Sequence, residues 1–146
     1  MLRIVCLLVL AVCVSAISFK DCGHAEVTKL DVSGCTGSGP CVLHKNTNIS
    51  VTINFKANQK TSHAKWYLHA KIGGVDTDLT ALLPGVDLDA CHSTSCPINS
   101  GDTKQVVFKF TIPKEAPVVS DVDVTTKLIG DAGDLLCTVT HGDVKE

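Results

Sequence analysis

The stretch TNISVTINFK, residues 47–56, alternates without a break: Ile49, Val51, Ile53 and Phe55 face one way, Asn48, Ser50, Thr52 and Asn54 the other. Successive side chains of an extended chain point to opposite faces, so this pattern suits a strand with one dry and one wet side. β-branched residues on the dry face strengthen the reading. The pattern recurs in AKWYLHAKI, residues 64–72, with Ala64, Trp66, Leu68, Ala70 and Ile72 on one face. It recurs in TKQVVFKFTI through Val106, Phe108, Phe110 and Ile112, and in DVDVTTKLIG through Val122, Val124 and Leu128. Weaker strands are expected at 25–32, 75–80 and 135–141; in the last, Leu135, Cys137 and Val139 compete with Leu136, Thr138 and Thr140 for the inner face. Gly73-Gly74, Pro84-Gly85, Ser100-Gly101-Asp102, Pro113 to Pro117 and Gly130 to Gly133 mark turns between them. No useful window shows a helical period. Six or seven short strands with one dry face each must close those faces on one another, which predicts an all-β, two-sheet antiparallel sandwich.

The first residues carry a different signal. Arg3 precedes the apolar run IVCLLVLAVCVSA, which ends in the small residues Val14-Ser15-Ala16. Such a run is too short to span a bilayer as a helix but suits a signal-peptide core, so residues 1–16 are read as a leader and 17–146 as one domain. No later segment has the length or apolarity of a membrane span. The mature chain is expected in a secretory, extracellular setting, with the lysosomal lumen as the alternative destination. Arg3 leaves with the leader, so 12 of the 13 basic residues face 15 acidic ones and the formal charge moves from −2 to −3. That mild acidity argues against nucleic acid or an anionic membrane as the main partner.

Cys6 and Cys13 also leave, reducing eight cysteines to six: Cys22, Cys35, Cys41, Cys91, Cys96 and Cys137. An even count in a secreted chain implies three disulfides, with fifteen pairings formally open. Cys35 and Cys41 enclose the turn-forming TGSGP, and Cys91 and Cys96 enclose the short polar HSTS. If those are local pairs, Cys22 is left with Cys137, and the bridge would tie the first strand to the last.

FKDCG just after the leader, the five-residue spacing from Cys35 to Cys41, the four-residue spacing from Cys91 to Cys96 followed by Pro97-Ile98, and a lone late Cys137 resemble the ML lipid-recognition domain. Within that family the pattern is most similar to the Niemann-Pick C type two branch and its insect members, and it covers the whole mature chain. The resemblance implies an immunoglobulin-like sandwich of about seven strands with the three pairings just described. It also implies a carrier that holds a sterol, fatty acid or related lipid in a cavity between the sheets, acting as a monomer with a membrane or receptor partner for ligand transfer. A recognition protein that presents microbial or signalling lipids to a receptor is the alternative that the wider family suggests.

The dry faces contain no Asp, Glu, Lys or Arg, as a lipid cavity requires, although a solid core requires the same. The resemblance points to Leu43, Val51, Ile53, Phe55, Trp66, Leu68 and Ile72 as ligand-binding residues, followed by Val106, Phe108, Phe110, Ile112, Val122, Val124 and Leu128, with Leu79 and Leu82 at the entrance. Sterol-binding members place aromatics at the mouth, but VDTDLTALLPGVDLDAC and IPKEAPVVSD hold none and offer Leu79, Leu82, Leu83, Val118 and Val119 instead. An aliphatic rim suits a flexible acyl chain better than a flat ring system. Lys65, Lys71 and Lys114 are the lysines nearest the expected pocket, available to a carboxylate.

Other chemistries find little purchase. The six histidines, 24, 44, 63, 69, 92 and 141, lack H-x3-H spacing and the cysteines are committed elsewhere, so neither a metal nor a cofactor is expected. There is no G-x-S-x-G elbow, H-E-x-x-H pair or glycine-rich phosphate loop after a strand, which sets an enzyme aside. Asn48-Ile49-Ser50 is a sequon and makes Asn48 a candidate glycosylation site.

Overall fold

The structure is a computed structural model in which residues 17–35 and 39–146 are described. The expected leader, with Cys6 and Cys13, lies outside them. Among the described residues nine strands follow in order: β1 (Lys20–Asp21), β2 (Val27–Val32), β3 (Cys41–His44), β4 (Asn48–Lys56), β5 (Lys65–Ile72), β6 (Val75–Asp78), β7 (Thr103–Thr111), β8 (Val119–Gly130) and β9 (Gly133–Lys145). Among the described residues the helical elements are two single 3-10 turns, Thr80–Leu82 and Ala90–His92. The all-β sandwich read from alternation is what forms, with nine strands rather than about seven because the flanking segments β1 and β3 also pair.

One sheet has three strands in the order β2-β4-β7, and the other runs β1-β9-β8-β5-β6, with β3 also joined to β9. Pairing is antiparallel except that β3 lies parallel to β9, Cys41 opposite Gly142 and His44 opposite Lys145. Both β1 and β3 therefore cover the edge of β9 that β8 does not. A Cβ at Gly142 would sit 2.6 Å from the Cys41 carbonyl oxygen, so glycine is what lets β3 come this close. The β5–β6 hairpin turns through Gly73 and Gly74 with φ of 59° and 79°, the paired positive values that a two-residue type I′ turn demands.

Register fixes the faces. In the small sheet Ile49, Val51 and Ile53 of β4 stand opposite Phe110, Phe108 and Val106 of β7. In the large sheet Leu128 of β8 lies between Trp66 of β5 and Leu136 of β9, and Thr126 lies between Leu68 and Thr138. The inner face of β9 is thus the Leu136, Thr138, Thr140 set. Leu135 is also fully buried, because the register shifts between Leu128 and Ile129 and leaves it as the extra residue of a bulge.

The three disulfides among the described residues are Cys22–Cys137, Cys35–Cys41 and Cys91–Cys96, with Cα separations of 4.9, 5.2 and 5.6 Å. The first spans 115 residues and fastens β1 to β9, where Cys22 N–H also donates to the Cys137 carbonyl.

Candidate functional site

The space between the sheets is filled at one end and hollow at the other. At the filled end Ile53, Phe55, Val106 and Leu128 are fully buried, with Trp66 and Phe108 nearly so. The Trp66 and Phe108 rings meet at 5.3 Å between centroids, and Phe108 meets Phe110 at 5.6 Å, both tilted. These contacts are in the range of favourable aromatic pairs and close off the middle of the sandwich.

Beyond Phe108 lies a cavity of about 370 Å³. Val51, Phe110 and Ile112 wall it from the small sheet, Leu68, Ile72, Val122 and Val124 from the large one, and Leu43 of β3 from the side. Leu79 and Leu82 stand at the opening. The remaining residues expected at a ligand, Ile53, Phe55, Trp66, Val106, Phe108 and Leu128, lie outside the lining in the packed half. Alternation assigns a side chain to a face but carries no information on how far apart the sheets stand there.

Other lining residues lacked a comparable signal. Ile17, Leu30 and Val32 come from the N-terminal segment and β2, whose alternation is weak. Val144 comes from the far end of β9, past the residue where the last strand was expected to stop, and Pro113, Ala116 and Pro117 come from the loop after β7. Thr126 and Thr140 face inward but read as polar in a sequence scan.

The mouth is built by two short segments. Asp78 Oδ1 accepts from Thr80 N–H at 2.9 Å and from the Thr80 hydroxyl at 2.6 Å, which fixes the 3-10 turn that presents Leu79, Leu82 and Leu83. The Thr80 hydroxyl bond is also the main reason the Asp78 carboxyl is held below its ordinary range. Opposite, Pro113 and Pro117 bound a loop that cannot continue the ladder. Leu82 and Val118 are 55% and 53% exposed, so the mouth offers aliphatic surface and no aromatic ring, as expected, beside the polar lining residues Glu115, His141 and Asp143.

Of the three lysines considered for a carboxylate, Lys65 and Lys71 project to the outer, wet face of β5. Lys114 sits on the rim loop between the lining residues Pro113 and Glu115 and is exposed. Asn48 is exposed at the start of β4, its Oδ1 accepting from the Thr111 hydroxyl at 2.6 Å.

Near the mouth His141 of β9 clamps β8. Its Nδ1 meets Asp123 Oδ1 at 2.7 Å and its Nε2 meets Asp121, while Asp121 N–H donates to Asp143 Oδ1 at 2.8 Å. The bonds to Asp123 and Asp121 raise the imidazole above its ordinary value of 6.5. Among the described residues no group of three or more His, Cys, Asp or Glu side chains is arranged to hold a metal ion, and no helix is long and apolar enough to cross a membrane.

The sequence matches the ML domain family over residues 16–141. It is 39% identical to the mite group 2 allergen Der f 2 of Dermatophagoides farinae, over 99% of this chain and 98% of that protein. It is 38% identical to Eur m 2 of Euroglyphus maynei over the full length of both. Among solved structures, a Niemann-Pick type C2 protein from the Japanese carpenter ant superposes with a TM-score of 0.76 at 15% identity, covering 88% of this chain and 99% of that one. Chicken MD-1 in complex with lipid IVa superposes with a TM-score of 0.55 at 13% identity, over 86% and 87% of the two chains. With the cysteine framework, the sandwich and the hollow between its sheets in agreement, the chain belongs to the ML domain family.

Proposed function

We propose that this protein is a secreted lipid carrier, released by removal of residues 1–16, which binds one hydrophobic ligand between its sheets and moves it through water as a monomer. The observation that carries the reading is the cavity of about 370 Å³ beyond Phe108, walled mainly by aliphatic side chains and Phe110 and open between the two short mouth segments. Its size falls at the lower end of the roughly 300–1,000 Å³ of small-ligand sites. A lipid of about 20 to 28 heavy atoms at roughly 0.3 kcal/mol per atom gains about 6 to 8 kcal/mol, which is micromolar or slightly weaker binding. Such affinity permits release to a membrane or receptor. The aliphatic rim favours a flexible acyl chain over a rigid sterol. That chicken MD-1 takes up lipid IVa lends support from a protein of the same fold. Asn48, exposed and in a sequon, is the proposed glycosylation site of the secreted form.

The test is native mass spectrometry of the secreted mature protein, with organic extraction and identification of what it carries. A stoichiometric sterol, fatty acid or related lipid, with sterol and fatty acid competing for one site on titration, is the expected result. Protein that emerges empty and takes up neither class is not a carrier. Signalling through a receptor with the lipid left bound would mark it instead as a lipid-presenting recognition protein.

A further inference from the structure

The mouth of the cavity has two lips, and each ends in the same arrangement of side chains. The first lip runs from Leu79 to Asp89 and brings Leu79, Leu82 and Leu83 to the cavity; the second runs from Pro113 to Asp123 and brings Pro117, Val119 and Val122. Where the first lip ends, His92 Nδ1 meets Asp87 Oδ2 at 2.7 Å and its Nε2 stands 3.5 Å from Asp89 Oδ2. Where the second ends, His141 Nδ1 meets Asp123 Oδ1 at 2.7 Å and its Nε2 meets Asp121. In both places one imidazole faces two carboxylates that lie two residues apart in the chain.

Fixed parts of the molecule carry the two imidazoles. His92 follows Cys91 of the Cys91–Cys96 disulfide, and His141 lies on β9 opposite Asp123 in the ladder with β8. The lips are held more sparingly. Their near ends are pinned by the bonds of Asp78 to Thr80 and by Ile112, whose N–H donates to the Thr47 carbonyl and whose carbonyl accepts from Asn46 N–H. Beyond those points Pro84 to Asp87 make no backbone–backbone hydrogen bond among the described residues, and the one such bond in the second loop runs from Ala116 N–H to the Pro113 carbonyl.

Protonation decides whether an imidazole can satisfy two carboxylates. The imidazolium donates from both ring nitrogens, whereas the neutral ring donates from one and turns a lone pair toward the other carboxylate. Each clasp is therefore attractive on both sides only when the ring is charged. In keeping with this, the bond to Asp87 raises His92 above its ordinary 6.5, as the bonds to Asp123 and Asp121 raise His141. Other charges surround the clasps. Near His141 they are Asp143, which accepts from Asp121 N–H at 2.8 Å, and Lys20 of β1, opposite Val139, while β3 brings Cys41 and Val42 to that stretch of β9. Near His92 they are Lys65 of β5, bridged to Asp89, and Lys104 and Lys109 of β7, whose Val107 N–H donates to Ser93 Oγ. The lips themselves add Lys114 and Glu115, and His69 contacts Asp76 at 3.0 Å and lies 4.0 Å from Asp78 at the near end of the first. Carboxylates and ammonium groups ordinarily change charge well away from neutrality, which leaves the response in that range to imidazoles.

We propose that His92 and His141 form a proton-operated latch on the mouth of the cavity. Charged, each ties the far end of one lip to a fixed part of the sandwich. On losing its proton each lets its lip part from the mouth, so a lipid is retained in mildly acidic surroundings and exchanged faster as pH rises. This rests on the carrier reading above and adds a control on release.

The test is the dissociation rate of N-phenyl-1-naphthylamine, a probe neutral throughout the range, chased from the mature protein by excess 1-hexadecanol in stopped flow at about pH 5.5 and about pH 8.5. The wild-type rate is expected to rise about fivefold, as much as a few exposed ion pairs together supply. The His92→Asn/His141→Asn variant is expected to release the probe at the faster rate at both pH values. A wild-type rate that stays flat, or a variant that keeps the rise, overturns the latch and leaves the carrier reading intact. Failure of the wild type to take up the probe or any lipid removes both. Should the variant not fold, amide hydrogen exchange of the wild type, corrected for the intrinsic effect of pH, decides. Protection of the Leu83 and Asp121 amides that falls as pH rises supports the latch, and protection that stays constant overturns it.

Discussion

Phe108 and Phe110 stand two residues apart on β7, point to the same side and touch each other at 5.6 Å between ring centroids, yet they have different tasks. Phe108 is 2% exposed and packs at a tilt against Trp66 in the filled half, whereas Phe110 is partly exposed and walls the cavity. Truncating Phe108 to alanine empties a site that nothing can refill, and the expected loss is about 3–5 kcal/mol of stability by urea unfolding. Phe110→Asp instead sets a charge against the ligand, so the protein is expected to remain folded by circular dichroism and to lose lipid binding on titration. Undiminished affinity in a folded Phe110→Asp would remove Phe110 from the site. Period-two alternation placed both rings on the inner face correctly but not their depth, because the same pattern serves a solid core and a cavity wall. The inward threonines Thr126 and Thr140 were hidden for a related reason: an inward hydroxyl reads as an outward one until the register of its neighbours is known.

At the scale of elements, β9 decides how the open end is built, and it was the least legible of the long strands. Leu135 and Leu136 are both buried because of the bulge, which defeats a simple choice of face, and the four residues of β3 are too few for a period to be counted. Gly142 is the joint between these strands. Gly142→Ala would drive a methyl toward the Cys41 carbonyl at 2.6 Å, so β3 must shift and carry Leu43 with it. A destabilisation of about 1–3 kcal/mol is expected, together with weaker ligand binding, and a variant with wild-type melting temperature and affinity would show that β3 does not help shape the cavity. His141 ties β9 to the start of β8, where Asp121 takes a φ of 65° that a non-glycine residue adopts only when held. Because bonds to Asp123 and Asp121 raise its pKa, the clamp contributes fully below the ordinary value of 6.5 and is lost as pH climbs through the raised folded value. The difference in melting temperature between wild type and His141→Asn should therefore shrink as pH rises above 6.5, and a difference that is flat across that range would show the pairing to be inert. Asp131 and Asp87 act in the opposite sense. Hydrogen bonds, from Ser62 N–H above all for Asp131 and from His92 for Asp87, lower both, so their support is present above 3.8 and lost as pH falls.

For the molecule as a whole, two unequal sheets share one interior, and the same few ties must hold them together at the packed end and apart at the hollow end. The two-sheet plan was legible because each long strand carries its own dry face and only another dry face can cover it. The three disulfide partners emerged from loop lengths once a family pattern was laid beside them, but nothing in the sequence said where the sheets would part. That depends on Phe108 and Trp66 meeting across the gap, a contact between residues 42 positions apart. A chain with an emptied interior forgoes the dispersion contacts of a solid core there, so the remaining constraints matter more than in a filled sandwich. Cys22–Cys137 closes a loop of 115 residues, and the chain-entropy account assigns it about 4 to 5 kcal/mol, against about 2 kcal/mol for Cys91–Cys96 across 5 residues. Replacing each pair by alanines should therefore lower stability unequally in guanidinium unfolding, with the long bridge costing roughly twice the short one. The larger loss should be visible at the open end as well, since β1 and β3 both lean on β9 and Cys22 pins the first of them. Equal losses from the two replacements would mean that local strain rather than loop closure sets the worth of these bonds. A long bridge whose removal costs stability but leaves ligand affinity unchanged would show that the cavity is held open by the strands alone.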